Sequence, residues 1–538
     1  MQDRAPERGP SRNHHAPAAP SAVALIEPAA AAVRVPLTIR RRPGRRTTWL
    51  ILGAILVTGA LLRLWQIDRL GLNSDEAVYV GQGASIAGDP NLSQLFPIYR
   101  AHPLLFQTVL SVAFQLGHGD PDLFGRIAAV VVGLGTVLLT YLLGRLLYGR
   151  RAGLFAALFM AVMPYSVVVS RQVLLDGPET FFATLALYLT ARYAISERPA
   201  WLYAAAGAVG LTCLSKEVGI LFLGSIYTFF ALTPPVRVRL RHAVGAALVL
   251  AVVISPQPLS LLFAGTTGTG GRFLSYQIFR RPNHDLFFYP ITVTEALGPL
   301  LVATALLGLW ALRRWASWRE ILLLSWVVVP VLFFEAWPVK GFQYLLPIAP
   351  PMAILAARAL SHGLGSRSVH RVPAAWAAAG LLAVSLALPA WNRIQPPRSG
   401  KFLAGSGGVP GGREAGGWIQ KHIPEGSTLL AIGPSMANIL QFYGHRAAFG
   451  LSVSPNPLHR NPVYTPVLNA DLEIRNGDLQ YLVWDSFSAS RSPFFADKIR
   501  RYAERYNGRV VRVQSLPMTG ADGRRVEKPV IVIYAVRP

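Results

Sequence analysis

Apolar residues along this chain gather in long runs, and the polar stretches between them alternate in charge. The runs cover residues 49–64, 103–116, 124–147, 153–169, 179–193, 201–214, 218–232, 243–263, 296–312, 321–334, 344–360 and 374–391. At 1.5 Å rise per residue, about 20 helical residues cross a 30 Å hydrocarbon core. Flanking residues 47–67 bring the first run to that length. The run 103–116 is too short to span and predicts a helix lying at the outer interface. The pattern therefore predicts a mostly α polytopic membrane protein with about eleven crossings.

Arginines mark every second connection: Arg145, Arg150 and Arg151, then Arg192 and Arg198, then Arg237, Arg239 and Arg241, then Arg313, Arg314 and Arg319, then the basic stretch 361–371. Carboxylates fall in the others. Positive charge stays on the cytoplasmic side, so the Arg-rich block at 40–46 reads as the inner flank of a signal anchor. Residues 70–101 and 264–294 become long external loops. The first 46 residues, rich in Ala, Pro and charge, predict a disordered basic cytoplasmic tail.

Beyond residue 392 the pattern changes. Residues 393–412 read as a Pro/Gly/Ser linker, and 413–538 alternate between helical and strand periodicity. Helices are predicted at 414–422, 435–443 and 493–506, with strands at 428–432, 479–484, 509–513 and 530–534. This describes a small extracytoplasmic α/β domain. No phosphate-binding glycine motif or catalytic signature stands out in it, which leaves the roles of lid, scaffold or acceptor platform.

Composition sharpens the picture. Of 538 residues, 52% are hydrophobic and 15% charged, with a mean hydropathy of +0.37; soluble proteins carry about 25% charged residues. The net charge of +25 would suggest nucleic acid in a soluble protein. Here much of the excess sits in short loops, where it sets topology and meets anionic lipid headgroups. No basic, aromatic platform for stacking bases is present, so a nucleic-acid partner is not expected. The single cysteine, Cys213, excludes an intrachain disulfide and a cysteine-rich metal site.

The candidate chemistry starts in the segment GLNSDEAVYV at 71–80. Consecutive helical side chains diverge by about 100°, so of Asp75 and Glu76 one can enter a cavity while the other turns to a second partner. The plainer alternative is a solvated loop with Ser74 or Asp75 as a helix cap. His102, Arg171, Asp176, Lys216 and Glu217 are placed on the same external side by three further segments. Singly, each has an ordinary explanation. His102 is then an interface residue, Asp176 a cap before Gly177-Pro178, and Lys216-Glu217 a salt-bridged turn. Residues 280–285, RRPNHD, are either a solvated loop or a contact for donor or acceptor.

In this order and on this side of the membrane, the segments resemble the GT-C glycosyltransferases. The branch they resemble is family 39, which includes protein O-mannosyltransferases and aminoarabinose transferases. The resemblance rests on Asn73-Ser74-Asp75-Glu76, His102-Pro103-Leu104-Leu105, Arg126, Arg171 with Asp176, and Lys216, over residues 50–230. Leu104 stands where the family often has a second proline. Gln343 replaces the arginine of the family's Arg-Tyr-Leu-x-Pro. The resemblance implies transfer of a sugar from a polyprenyl-phosphate donor to a protein, lipid or glycan acceptor at the outer face of a bacterial plasma membrane, by a single inverting displacement. It implies Asp75 as catalytic base with Glu76 as orienting partner or acceptor contact. Donor phosphate would meet Arg171, Lys216, His102 and Arg272 or Arg280. Asp176 would orient Arg171 or help hold a divalent cation, Mg²⁺ or Mn²⁺. Two rival functions remain at this stage: a transporter or flippase of lipid-linked sugar, and a membrane-anchored binding scaffold.

Overall fold

The computed structural model describes residues 44–98, 102–116, 120–364, 371–395, 408–519 and 524–537. The expected tail up to residue 43 and most of the expected linker, 396–407, lie outside the described residues.

Each apolar run is helical. The first helix, Arg45–Leu64, leads through a short turn to a helix at Ser74–Ala87, so the expected external loop 70–101 is largely structured, with a further short helix at Pro90–Leu95. The cap explains why. Asn73, not Ser74 or Asp75, is the N-cap: its Oδ1 accepts from the amides of Asp75 and Glu76, each at 3.0 Å. Glu76 Oε2 in return accepts from the Asn73 amide at 2.9 Å, completing a capping box. Gly88, at φ +97°, closes the helix in a left-handed conformation open to glycine at little cost. The second expected loop, 264–294, likewise contains the helices Thr267–Phe279 and Phe288–Leu297.

The run 153–169 is broken into Arg150–Val162 and Pro164–Val169. Pro164 has no N–H to give the Met160 carbonyl. Arg63, fully buried, supplies the missing donors: it reaches the carbonyls of Met160 and Ala161 at 3.3 and 2.8 Å and the hydroxyls of Ser166 and Ser170 at 2.8 Å each. A charged side chain at membrane depth is costly unless its donors are used, and here a proline break creates acceptors for them.

Among the described residues, five helices are long and apolar enough to cross a membrane: Arg46–Leu64, Pro121–Tyr148, Leu240–Phe263, Phe342–Gly363 and Val372–Ile394. A sixth is added if Phe288–Leu297 and Pro299–Ala311, bent by 94°, count as one broken span. Shorter apolar helices occur at Leu105–Leu116, Pro199–Ser215 and Glu217–Leu232. The chain is an integral membrane protein.

The C-terminal part forms a five-stranded sheet in the order β2-β1-β3-β5-β4, with β1 at Thr428–Ala431, β2 at Ala447–Gly450, β3 at Tyr481–Asp485, β4 at Arg509–Thr519 and β5 at Arg525–Ala535. Strands β1, β2 and β3 are parallel; β5 pairs antiparallel with both β3 and β4. Strand β2 was not foreseen, because Ala-Ala-Phe-Gly carries no β-branched signal; its pairing with β1 makes it a strand.

This part does not stand off from the helices. One hydrophobic cluster runs from Leu72, Ala77 and Val80 through Phe96 to Ile419, Leu440 and Ile531. At its rim, Arg413 donates to Asp68 and Asp122 at 2.5 and 2.7 Å. Tyr443 donates to Asp122 at 2.8 Å and accepts from the Leu72 amide at 2.8 Å. Asn438 donates to Ser74 Oγ at 3.0 Å, one residue from Asp75. Gly408 lies so close to the backbone of Gly71 and Leu72 that a methyl group there would collide with it.

Candidate active site

The capping box sends the two adjacent carboxylates opposite ways. Glu76 is fully buried and takes four donors: the Asn73 amide, the Val173 amide at 3.1 Å, and Arg126 Nε and Nη2, both at 2.9 Å. Arg126, equally buried, spends its remaining donors on the carbonyls of Ile67, Leu70 and Gly71. The pair therefore ties the turn after the first helix to the helix Pro121–Tyr148 and to the turn at Val173. Both Glu76 oxygens are thus buried and occupied, which corrects the expectation of a substrate contact.

Asp75 is exposed, and no protein group hydrogen-bonds its carboxylate among the described residues. His102, Asp176 and Lys216 lie near enough to act on its charge, and together with it they outline the candidate recess. Partial loss of hydration pushes its pKa above the ordinary carboxylate value; His102 and Lys216 pull it down, while Asp176 and Glu76 push it up. That is the direction a general base needs to hold a proton usefully near neutrality.

The helix Asp176–Ser196 brings Asp176 to the wall of the recess, and the turn after Pro199–Ser215 brings Lys216. Lys216 Nζ lies 2.6 Å from Asp176 Oδ1 and 3.9 Å from Glu179 Oε2, and 4.2 Å from the centre of the Tyr344 ring. Burial works against its charge, but Asp176 and Glu179 outweigh it, so the ammonium is held charged. Lys216 is thus a buried residue, not part of a solvated turn. Glu217 pairs with His102, Nδ1 to Oε2, at 2.9 Å. Burial disfavours the imidazolium, yet the Glu217 carboxylate raises the His102 pKa overall; the Glu217 pKa falls in turn, its own burial being outweighed by His102. His102 is 27% exposed and Glu217 39%, so both face the open recess.

Three expected site residues lie elsewhere or are otherwise occupied. Arg171 Nη1 caps the first helix, donating to the carbonyls of Leu62, Arg63 and Trp65 at 2.8–3.0 Å. Those are helix-end acceptors that would otherwise lack a donor, and Asp176 pairs with Lys216 instead of orienting Arg171. Arg272 is exposed on Thr267–Phe279 and bends back to the Gly268 carbonyl at 3.3 Å. Its neighbour Phe273, in contrast, meets the His102 ring edge-on at 5.2 Å. Among the described residues no group of three His, Cys, Asp or Glu is placed to hold a metal ion. Asp176, the expected metal candidate, is engaged by a lysine.

The structure also adds Tyr79 and Tyr344, and sets beside them Arg280, already a candidate for the donor phosphate. Tyr79, one helical turn after Asp75, faces the His102 ring at 6.1 Å; its i+4 spacing from Asp75 was a usable signal. Tyr344 lies within the electrostatic reach of Asp75, Asp176, Lys216 and Arg280. Arg280 packs its guanidinium over Tyr276 at 5.2 Å and has no carboxylate partner among the described residues. No sequence spacing links Tyr344 and Arg280 to Asp75, some 200 residues or more away. The arrangement is one open carboxylate, two cations each balanced by a carboxylate, and one arginine with no acid of its own.

A family model described as dolichyl-phosphate-mannose-protein mannosyltransferase matches residues 101–259. The chain is 30% identical over 351 residues to an undecaprenyl phosphate-alpha-4-amino-4-deoxy-L-arabinose arabinosyl transferase of Pseudomonas aeruginosa (strain UCBPP-PA14), covering 59% of this chain and 60% of that protein. The match thus spans less than two thirds of that relative's length. Among solved structures, ArnT from Cupriavidus metallidurans superposes with a TM-score of 0.65 at 16% identity, covering 91% of this chain and 98% of that one. An oligosaccharyltransferase from Archaeoglobus fulgidus superposes with a TM-score of 0.60 at 16% identity, covering 90% and 74%. At these identities the structural likeness is one of fold.

Proposed function

We propose that the chain is a GT-C membrane glycosyltransferase that moves a sugar from a polyprenyl-phosphate donor to an acceptor hydroxyl or amine outside the cytoplasm. The observation that carries this is the open Asp75 carboxylate in a recess whose cations come from distant segments. The relatives support the donor class: the ArnT fold was also solved with bound undecaprenyl phosphate. The finer topology belongs to the same proposal. Broken helices complete about eleven crossings, the N-terminus is cytoplasmic, and the α/β part is extracytoplasmic, in the plasma membrane of a bacterium.

In the proposed step, Asp75 accepts the proton of the acceptor as the acceptor atom bonds to the anomeric carbon. The bond from that carbon to the phosphate oxygen breaks, and the phosphate leaves with the electron pair. Charge grows on the phosphate as the bond breaks. Lys216 and His102, the cations that act on Asp75, meet it, and Arg280 adds a third from the side of Tyr344; charge-assisted bonds of this kind are shorter and stronger than neutral ones. Asp176 and Glu217 hold Lys216 and His102 charged and in place.

The test is reconstitution in vesicles with a labelled polyprenyl-phosphate sugar. Transfer predicts labelled acceptor and an equal amount of free polyprenyl phosphate. Label that crosses the bilayer with its glycosidic bond intact would instead make the protein a transporter. Lys216→Met should raise the donor KM by about tenfold or more, as loss of a charge-assisted contact does; an unchanged KM removes Lys216 from the phosphate.

The pH profile offers a further check. Asp75 must be unprotonated, so kcat falls as pH drops through its pKa, and the raised pKa puts that acid limb above the ordinary carboxylate range. His102 is a positive neighbour that pulls this pKa down. His102→Gln should therefore move the limb to still higher pH in a kcat–pH titration. A limb that stays or moves down would separate the two groups.

A further inference from the structure

A second recess lies within the C-terminal α/β part. It is a groove of about 640 Å³ between the end of the helix Gly412–His422 and the strand ends of β3, β4 and β5. Small-molecule sites span roughly 300–1,000 Å³. Its lining includes Trp418, His422, Tyr481, Arg509 and Arg537, and it contains no Asp or Glu.

Trp418 and His422, one helical turn apart, stack with ring centres 4.8 Å apart and planes 10° from parallel. His422 Nδ1 lies 2.9 Å from the Trp418 carbonyl. A carbonyl only accepts, so Nδ1 carries the hydrogen, and in the neutral ring Nε2 is the acceptor. The stack is thus a flat, rigid surface with a hydrogen-bonding edge. Neither Arg509 nor Arg537 has a carboxylate partner among the described residues. The Tyr481 hydroxyl also makes no hydrogen bond to the protein among them. Two uncompensated guanidiniums select an anion, and their planar fork suits a carboxylate or phosphate. An aromatic face with hydroxyl and imidazole edges suits the flat, hydroxyl-rimmed body of a sugar.

We propose that this groove binds an anionic saccharide, a sugar phosphate or a uronic acid, through Arg509 and Arg537 with the ring laid on the Trp418–His422 stack. The site stands apart from the recess at Asp75, and its occupancy does not depend on sugar transfer.

The test is calorimetric titration of the full-length protein in lipid nanodiscs with glucose 1-phosphate, a galacturonic acid trimer, maltotriose and inorganic phosphate. At least one anionic sugar should bind about tenfold or more tightly than both maltotriose and inorganic phosphate. Arg509→Ala with Arg537→Ala should weaken it by about tenfold or more, as loss of charge-assisted bonds does. Trp418→Ala should weaken every sugar but not inorganic phosphate. Both arginines are exposed, so the double variant should keep its unfolding temperature. Inorganic phosphate binding as tightly as the sugars would make the groove a plain anion site and overturn the proposal. So would maltotriose binding equally well, binding that survives the double arginine variant but is lost in Lys216→Met, or no binding at all.

Discussion

Asp75→Asn should abolish turnover while leaving the protein folded and able to bind its donor. The carboxamide keeps the shape of the side chain, and the bond to Asn73 is made by the backbone amide, so the substitution leaves it in place. What it loses is the ability to take a proton. Removal of a general base costs roughly 10²–10⁴-fold in rate. The expected result is a kcat lowered by that amount, an unchanged unfolding temperature, and donor binding within about twofold of the parent chain. The measurement is single-turnover transfer from a labelled polyprenyl-phosphate sugar, with donor binding followed separately. Parent-like turnover would remove Asp75 from the base role and reopen the choice of base within the recess.

The neighbouring carboxylate should give the opposite outcome. Glu76 and Arg126 form a buried bidentate pair, each essentially without solvent contact. Removing one member strands the other's charge in a dry site, which costs about 3–5 kcal/mol. Arg126→Ala should therefore lower the unfolding temperature by many degrees and reduce the yield of folded protein, whether or not donor is present. It also frees the carbonyls of Ile67, Leu70 and Gly71, so the turn leading to Asp75 loses its anchor. Thermal unfolding in detergent, read by tryptophan fluorescence, measures this. Should Arg126→Ala melt like the parent chain but fail only in transfer, the pair would belong to the chemistry and not to the framework. Asp75 and the arginine that holds its neighbour Glu76 thus predict two different phenotypes.

The contrast also explains what the fold contributes to the site. Arg63, Arg126 and Arg171 are three cations near the ends of helices, and all three spend donors on backbone carbonyls. From sequence Arg171 reads as a phosphate ligand, because an arginine at a membrane interface carries the same signature in either role. The deciding quantity is the number of acceptors left open by broken helices, and that depends on where the breaks fall in space. Lys216 and His102 differ because their nearest acceptors are carboxylates that themselves border the recess.

The α/β part adds a second lesson. Its helices and most of its strands follow from alternating periodicity, but its position does not. Asn438, Tyr443 and Arg413 lie more than 300 residues from the segment they grip, and none is unusual in its local context. Their contacts make the C-terminal part a neighbour of Asp75 and not a tethered accessory.

By itself, the sequence determined that this chain lives in a membrane, which runs become helices, and that Asp75 and Glu76 must part company on a helix. Those are consequences of hydrophobic length, charge placement and the 100° step between residues, all of which are local. The tertiary structure alone decided which of the two acids is free and which cations remain for a substrate. It also decided that Tyr344 lies within electrostatic reach of both Asp75 and Arg280. Such assignments depend on how many donors and acceptors meet at one point, and that count is settled only when distant segments are packed together.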